Sequence, residues 1–319
     1  MSDSFEEYWF RARKLIDERM EEEIEEMRFS RYVKKVVSGG KRFRGTLTML
    51  TAQALGGKAE DALPFSVAVE FVHQGTLIHD DFFDGHDSRR GRLPLYKVLD
   101  PRRAFMIADM MLSIAQWKLT GSRDGYQTLA KAIYETCQGA IMEPLNQKTF
   151  LDYIKDKALK DTMYLTIAGL KTAELYGAAC KLGAISAAPK DQALLQKAHE
   201  YGVHLGIAYQ MADDLTDYIA IRKHGATDIV TVTKLVPFLL HLVPSAIPKL
   251  AYLFPDGKLK GITTLLDEED IPGRSHREID HYVKMAKDTV RVYFPDNKHA
   301  KLLLEAPSYL VRKLLEEIA

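Results

Sequence analysis

Cysteine is scarce in this chain of 319 residues, with Cys137 and Cys180 the only two. Neither stands in a metal-type spacing, which favours a reducing compartment over a disulfide scaffold. No charge of one sign prevails either. Lys plus Arg number 44 and Asp plus Glu number 44, so nothing in the overall charge points to nucleic acid or an anionic membrane. Any polyanionic ligand must be met by a local cluster. Long apolar runs are also missing. The most apolar stretch, Val236 to Phe254, is broken by His241, Pro244, Pro248 and Lys249, and falls short of the ~20 clean apolar residues a spanning helix needs. The first twenty residues, MSDSFEEYWFRARKLIDERM, contain no apolar h-region, so no secretory signal is expected. The expectation is a cytoplasmic protein without a transmembrane segment and without a nucleic-acid partner.

Strand signals are nearly absent, and helical periodicity takes their place. Residues 5–37 carry apolar side chains at three- and four-residue spacing among Glu, Arg and Lys, the pattern of one solvent-facing helix, and Ser38-Gly39-Gly40 offers its stop. Further helices are predicted at 44–55, 62–84, 101–119, 124–145, 149–157, 160–181, 190–221, 229–243, 245–254, 259–266, 275–293 and 297–318. Short loops, long helices and the lack of any linker or low-complexity stretch predict an all-α fold, a single helical-bundle domain over residues 1–319. Helices 62–84, 160–181 and 190–221 are apolar round much of their circumference and are expected at its centre.

One short pattern occurs twice. Asp80-Asp81-Phe82-Phe83-Asp84 and Asp213-Asp214-Leu215-Thr216-Asp217 both read D-D-x-x-D after apolar helix. On a helix, positions i and i+4 lie one turn apart on the same face, with i+1 about 100° round. Asp80 with Asp84, and Asp213 with Asp217, thus form two pincers. Carboxylates so close repel by several tenths of a kcal/mol per pair, and a cation would offset that. Magnesium prefers hard oxygens and often bridges one or two carboxylates to substrate phosphates. A single D-D-x-x-D is commonly a solvated helix end; two of them, facing each other across a bundle cavity, would gather metal and a diphosphate.

Basic residues complete the charge balance. Gly39-Gly40-Lys41-Arg42-Phe43-Arg44 sets three cations beside a glycine turn, Arg89-Arg90-Gly91 follows the first aspartates, and Lys171-Thr172 lies inside an apolar helix. An unpaired ammonium buried there would be costly.

In these motifs the chain resembles the trans-isoprenyl diphosphate synthases, the farnesyl and geranylgeranyl diphosphate synthase family. The resemblance runs from about Ser38 to Pro237. It includes G-G-K-R-F-R at 39–44, H-x(5)-H-D-D-x-x-D at 73–84, R-R-G at 89–91, K-T at 171–172, Y-Q-M-A-D-D-L-T-D at 209–217, a trailing G-x-x-D at 225–228, and Lys234. It implies two or three Mg²⁺ ions held directly by Asp80, Asp84 and Asp213, with Asp81, Asp214 and Asp217 beside them or acting through water. Arg89 and Lys171 would hold an allylic prenyl diphosphate, and Lys41, Arg44, His73 and Arg90 would hold isopentenyl diphosphate. Thr172 and Gln210 would steady the allylic cation. A homodimer is implied as well. The sequence departs from the family at Gly139-Ala140, where G-Q is usual. It departs again in the loop Arg222-Lys223-His224-Gly225, where Lys223 stands in for the usual lysine, and after Arg90, where a histidine is missing.

The resemblance also implies a product path running from the first aspartates towards the N-terminus of their helix, past Thr76, Gly75 and Val72. Small residues at 75 and 76 imply a product of about C20 or longer, with Phe71 or Met106, Met110 and Met111 deeper down as floor or core. A class I terpene cyclase and a non-catalytic subunit of a heteromeric synthase are the alternatives. The first expects other residues than Asp217 and Ile221 in its second motif; the second would have lost aspartates. A di-iron bundle would need a second E-x-x-H beside Glu70–His73, and an HD-type phosphohydrolase a histidine upstream of His73. His79 alone reads as a satisfied helix histidine.

Overall fold

Ser4 and Glu7 open the first helix with a capping box: the Ser4 hydroxyl accepts from the Glu7 N–H, and the Glu7 carboxylate accepts from the Ser4 N–H. Such a cap is worth ~1 kcal/mol. Helix α1, Phe5–Glu25, then buries Phe5, Tyr8, Trp9, Ala12, Ile16, Met20 and Ile24 along one stripe. The computed structural model describes residues 4–28, 30–143, 162–187, 191–224, 229–246 and 269–316. Among them the regular structure is helical apart from one isolated bridge between Arg89 and Arg92. No helix among them is long and apolar enough to cross a membrane.

The remaining helices are α2 (Ser30–Val37), α3 (Phe43–Ala54), α4 (Ala59–Phe83), α5 (Leu95–Val98), α6 (Pro101–Lys118) and α7 (Arg123–Met142). They continue with α8 (Met163–Ala168), α9 (Glu174–Ser186), α10 (Gln192–His224), α11 (Ile229–Leu242), α12 (Ile271–Tyr293) and α13 (Lys298–Leu315). A π turn, Gly169–Ala173, joins α8 to α9. The single helix expected over 5–37 is two. Four glutamates, Glu21, Glu22, Glu23 and Glu25, crowd the end of α1 with no base in its last turn. Negative charge at the negative end of a helix is unfavourable, and the chain breaks there. The turn α5 has no counterpart among the predicted helices. The helices predicted at 149–157 and 259–266, most of 245–254, and the G-x-x-D at 225–228 lie outside the described residues.

The chain forms two compact units. The first comprises Met1–Tyr134, Leu175–Gly202 and Asp288–Ala306; the second comprises Glu135–Glu174, Val203–Lys287 and Pro307–Ala319. In the first, α3 is buried nearly throughout and packs on α4, where the Gly45 N–H donates to Glu70 at 2.9 Å. Asp100 caps α6 by accepting from the Arg103 N–H, and α6 packs along α4. In the second, α8, α10, α11 and α12 share a core that includes Met163, Ile167, Met211, Leu215, Phe238, Leu239 and Ile279. Thus α4 carries the first aspartates in one unit, and α10 carries the second in the other.

Candidate active site

The first aspartates occupy the last turn of α4. Asp84 is its C-cap, its N–H bonding back to the Asp80 carbonyl at 2.9 Å, and Gly85 leaves the helix at φ 65°. A helix C-terminus carries partial negative charge, so three carboxylates there oppose the local field. The cluster divides. Asp81 turns inward, with its side chain 7% exposed, and one of its oxygens accepts from Arg89 Nε at 2.5 Å and lies 3.2 Å from His86 Nδ1. The Tyr96 hydroxyl fixes this loop by donating to the His86 carbonyl. Asp80 and Asp84 remain partly exposed, one turn apart. His79 lies 3.5 Å from Asp109 and packs edge-on against Phe105.

Next to this helix end the basic loops meet. Arg90 and Gly91 both have positive φ, 53° and 72°, and Arg89 and Arg92 exchange backbone hydrogen bonds across them. That is the geometry of a two-residue hairpin turn. From it Arg90 and Arg92 reach Ser38, at 3.4 Å to its carbonyl and 2.5 Å to its hydroxyl. The loop 38–42 is thereby tied to loop 89–92. His73, two turns back along α4 from Asp80, is pushed well below the ordinary histidine pKa by burial and by the positive charges of Arg44, Arg90, Arg42 and Arg89. A neutral imidazole among four guanidiniums marks a region built to receive an anion.

Of the three cations expected beside the glycine turn, one is not at the surface. Arg42 is 1% exposed, donates to Asp17 at 2.7 Å and to the Val37 carbonyl, and lies 3.7 Å from Glu70. It is an internal strut, because its positive φ of 54° at the start of α3 sends the side chain inward. Arg44 is partly exposed and lies over the Tyr176 ring at 4.2 Å. Lys41 is partly exposed, and its carbonyl is fixed by Trp9 Nε1.

In the second unit, the π turn carries Lys171 and Thr172; π turns inside α-helices occur frequently at functional sites. The ammonium of Lys171 has the partner that its burial demanded: Glu143 Oε2 lies 2.5 Å away, and Lys234 on α11 lies 3.6 Å from the same oxygen. Gly139 permits this arrangement, since a Cβ there would stand 2.4 Å from the Lys171 nitrogen. Thr172 donates to Gln210 Oε1 at 2.6 Å, Gln210 donates to Asp214 at 3.1 Å, and Tyr164 donates to the other Asp214 oxygen at 2.6 Å. Desolvation, with help from Asp213 and Asp217, pushes the Asp214 carboxyl up to about 8. Asp213 is partly exposed and Asp217 exposed. As on α4, the middle aspartate is anchored and the outer two share one face.

Lys223 is exposed, and Arg222-Lys223-His224 forms the last turn of α10 instead of the loop expected from the sequence. Basic residues suit a helix C-terminus, and Arg222 also donates to the Tyr218 hydroxyl. On the expected product path, Gly75 has neighbours on α6. A Cβ on Gly75 would meet the Ala108 carbonyl at 3.2 Å and Leu112 at 3.3 Å, so this glycine faces α6 and Leu112 fills the space beside it. Val72, Phe71 and Met111 are buried, whereas Met106 is 59% exposed and contributes to neither floor nor core. Sequence reasoning missed Glu143, His86 and Leu112. For Glu143 a signal existed: a lysine inside an apolar helix requires an acid.

Among the described residues no three His, Cys, Asp or Glu side chains converge closely enough to hold a metal unaided. Pairs of hard oxygen donors one turn apart fit an ion that also takes ligands from a bound phosphate.

Residues 26–243 match the family profile described as polyprenyl synthetase. The geranylgeranyl diphosphate synthase of Methanosarcina mazei is 34% identical over 198 residues, 60% of this chain and 58% of that protein. That of Mycobacterium tuberculosis is 36% identical over 184 residues, 56% of this chain and 50% of that protein. The chain thus spans between half and three-fifths of the length of these two relatives. Among solved structures, a polyprenyl synthase from Caulobacter crescentus CB15, complexed with calcium and isoprenyl diphosphate, superposes with a TM-score of 0.79 over 98% of each chain at 24% identity. That likeness concerns the fold. The family match covers more than half of the sequence, and on it the chain belongs to the polyprenyl synthetase family.

Proposed function

We propose that the protein is a prenyltransferase: it condenses isopentenyl diphosphate head-to-tail with an allylic prenyl diphosphate, releasing pyrophosphate and a linear trans-prenyl diphosphate of about C20 or longer. The observation that carries this reading is the pairing, within the first unit, of two anion sites. His73 sits among Arg42, Arg44, Arg89 and Arg90, and Asp80 and Asp84 stand at the end of the same helix. The first suits a diphosphate held directly, and the second a diphosphate held through a cation.

In this reading Lys41, Arg44, His73 and Arg90 hold isopentenyl diphosphate. Arg89, Lys171 and Lys234 hold the allylic diphosphate, with Lys223 as a further substrate-binding cation. Asp80, Asp84 and Asp213 are the direct ligands of two or three Mg²⁺ ions, and Asp214 and Asp217 act through water. Bound there, the ions would draw charge off the departing diphosphate. The fold neighbour from Caulobacter was solved with calcium and isoprenyl diphosphate, which supports a divalent cation and a prenyl diphosphate as the ligands. Asp81 serves differently, as the carboxylate that aims Arg89. Thr172 and Gln210, locked to each other, present fixed dipoles near the allylic cation. The alkene of isopentenyl diphosphate attacks that cation, a new carbon–carbon bond forms, and the proton lost in the last step passes to the departed pyrophosphate. The work of the side chains is alignment and charge stabilisation.

The whole chain would act as one catalytic domain, in the cytoplasm. A homodimer is supported by exposed apolar side chains on two helices, Met106 and Trp117 on α6 and Tyr134 and Ile141 on α7. Light scattering reads that directly as a doubled mass. The activity is tested with Mg²⁺, labelled isopentenyl diphosphate and C5, C10 or C15 allylic primers, sizing the products by mass. Longer linear diphosphates, abolished in Asp80→Ala and Asp213→Ala, are expected. Folded protein that elongates no primer would refute the reading in favour of a cyclase or a non-catalytic subunit.

A further inference from the structure

Glu143 follows directly on α7 and brings a single oxygen, Oε2, to two ammonium groups: Lys171 Nζ at 2.5 Å and Lys234 Nζ at 3.6 Å. The three side chains come from three separate elements, and all are largely buried, at 16%, 20% and 19% exposed. An oxygen shared by two lysines is also the position that a phosphate oxygen would take between them. Both lysines belong to the set that the proposed function assigns to the allylic diphosphate.

We propose that Glu143 is a positioning residue that acts as a built-in counter-anion. In the substrate-free protein it gathers Lys171 and Lys234 at one point. When a diphosphate arrives, the carboxylate competes with it for the same two donors, and when pyrophosphate must leave, the carboxylate takes its place. The inference rests on the prenyltransferase reading for the identity of the anion. Its geometry stands on the ion triad and on Gly139, one turn earlier, which lets α7 approach the Lys171 backbone closely enough to deliver the acid.

The test is calorimetric titration of inorganic pyrophosphate with Mg²⁺ into the wild type, Glu143→Gln, Glu143→Asp and Lys234→Gln, alongside steady-state elongation. Glutamine keeps the shape and removes the charge. Pyrophosphate should then bind tighter by on the order of tenfold, the scale of losing one competing charge at a partly buried site. The KM for the allylic primer and kcat should fall together as product release slows, and aspartate should restore both. In Lys234→Gln pyrophosphate should bind more weakly. A purely structural ion pair predicts instead a lower melting temperature with no tightening. Equal or weaker pyrophosphate binding in Glu143→Gln, or unchanged binding in Lys234→Gln, overturns the proposal. A wild type that binds pyrophosphate but elongates no primer sinks the prenyltransferase reading instead, and leaves the counter-anion to be decided by the calorimetry.

Discussion

Replacing Gly139 with alanine would place a methyl carbon 2.4 Å from the Lys171 nitrogen, 2.8 Å from its Cα and 2.9 Å from the Leu170 carbonyl carbon. Ordinary contacts begin at 3.4 Å, so the two backbones must part by about 1 Å (3.4 − 2.4). All three opposing atoms are main chain, and no rotamer change relieves them. Overpacking of this kind costs typically ~1–3 kcal/mol, and backbone against backbone belongs at the upper end. Against it stands the better helix propensity of alanine, ~1 kcal/mol. The net is a destabilisation of ~1–2 kcal/mol, or about 2–4 °C in Tm for a chain of this size. Activity should suffer more than stability. Glu143 lies one turn beyond Gly139, and an ångström of displacement at a positioned group costs ~100-fold in rate. The assay is thermal unfolding beside elongation kinetics. A Gly139→Ala protein that melts at or above the wild-type temperature would show that propensity prevails and that the close approach does not hold Lys171.

Three other outcomes are expected. His73 has a folded-state pKa well below its ordinary value, so below about pH 6.5 the unfolded chain takes up a proton that the folded chain refuses. Stability should fall with falling pH at up to ~1.4 kcal/mol per unit from this group. His73→Gln should show a shallower loss in urea titrations between pH 6.5 and 4.5; parallel profiles would contradict the assignment. Because Leu112 fills the space beside Gly75, Leu112→Ala should lengthen the product and Leu112→Phe shorten it, as read by mass, and an identical product distribution in both would remove this side chain from the path. Burial pushes the Cys180 thiol up to about 12, whereas Cys137 is exposed. A thiol reagent at neutral pH should therefore modify one cysteine quickly and the second only as the protein unfolds.

The helical architecture was legible because burial on one side repeats at three and four residues. The aspartate pairs were legible because helical spacing alone decides what shares a face. Asp80 and Asp84, or Asp213 and Asp217, need no tertiary knowledge to be grouped. What stayed hidden depends on partners distant in sequence. Nothing local distinguishes Arg42 from Lys41 and Arg44; its partners Asp17 and Glu70 lie 25 residues before and 28 after it. The same holds for Asp81, which resembles Asp80 in sequence but turns inward to Arg89 and His86. Gly75 read as an open wall, because a missing side chain says nothing about what moves into the gap, and here Leu112 does. The π turn was invisible for another reason: Gly169–Ala173 carries no residue that forbids an ordinary α turn.

A π turn closes i to i+5, where an α turn closes i to i+4, so it holds one residue more than the turn it replaces. Each residue advances a helix by about 100°, and the extra one resets the phase of everything that follows. The reset falls at Gly169–Ala173, and the allegiance of the chain changes at Glu174, with Met163 to Glu174 belonging to one compact unit and Leu175 onward to the other. The residues before the turn serve one hydrophobic core and those after it the other, and one extra residue sets the phase of the second stretch apart from that of the first. In a lineage, such a residue would behave as a frame marker: its deletion would leave a good helix that points the wrong side chains at one of its two neighbourhoods.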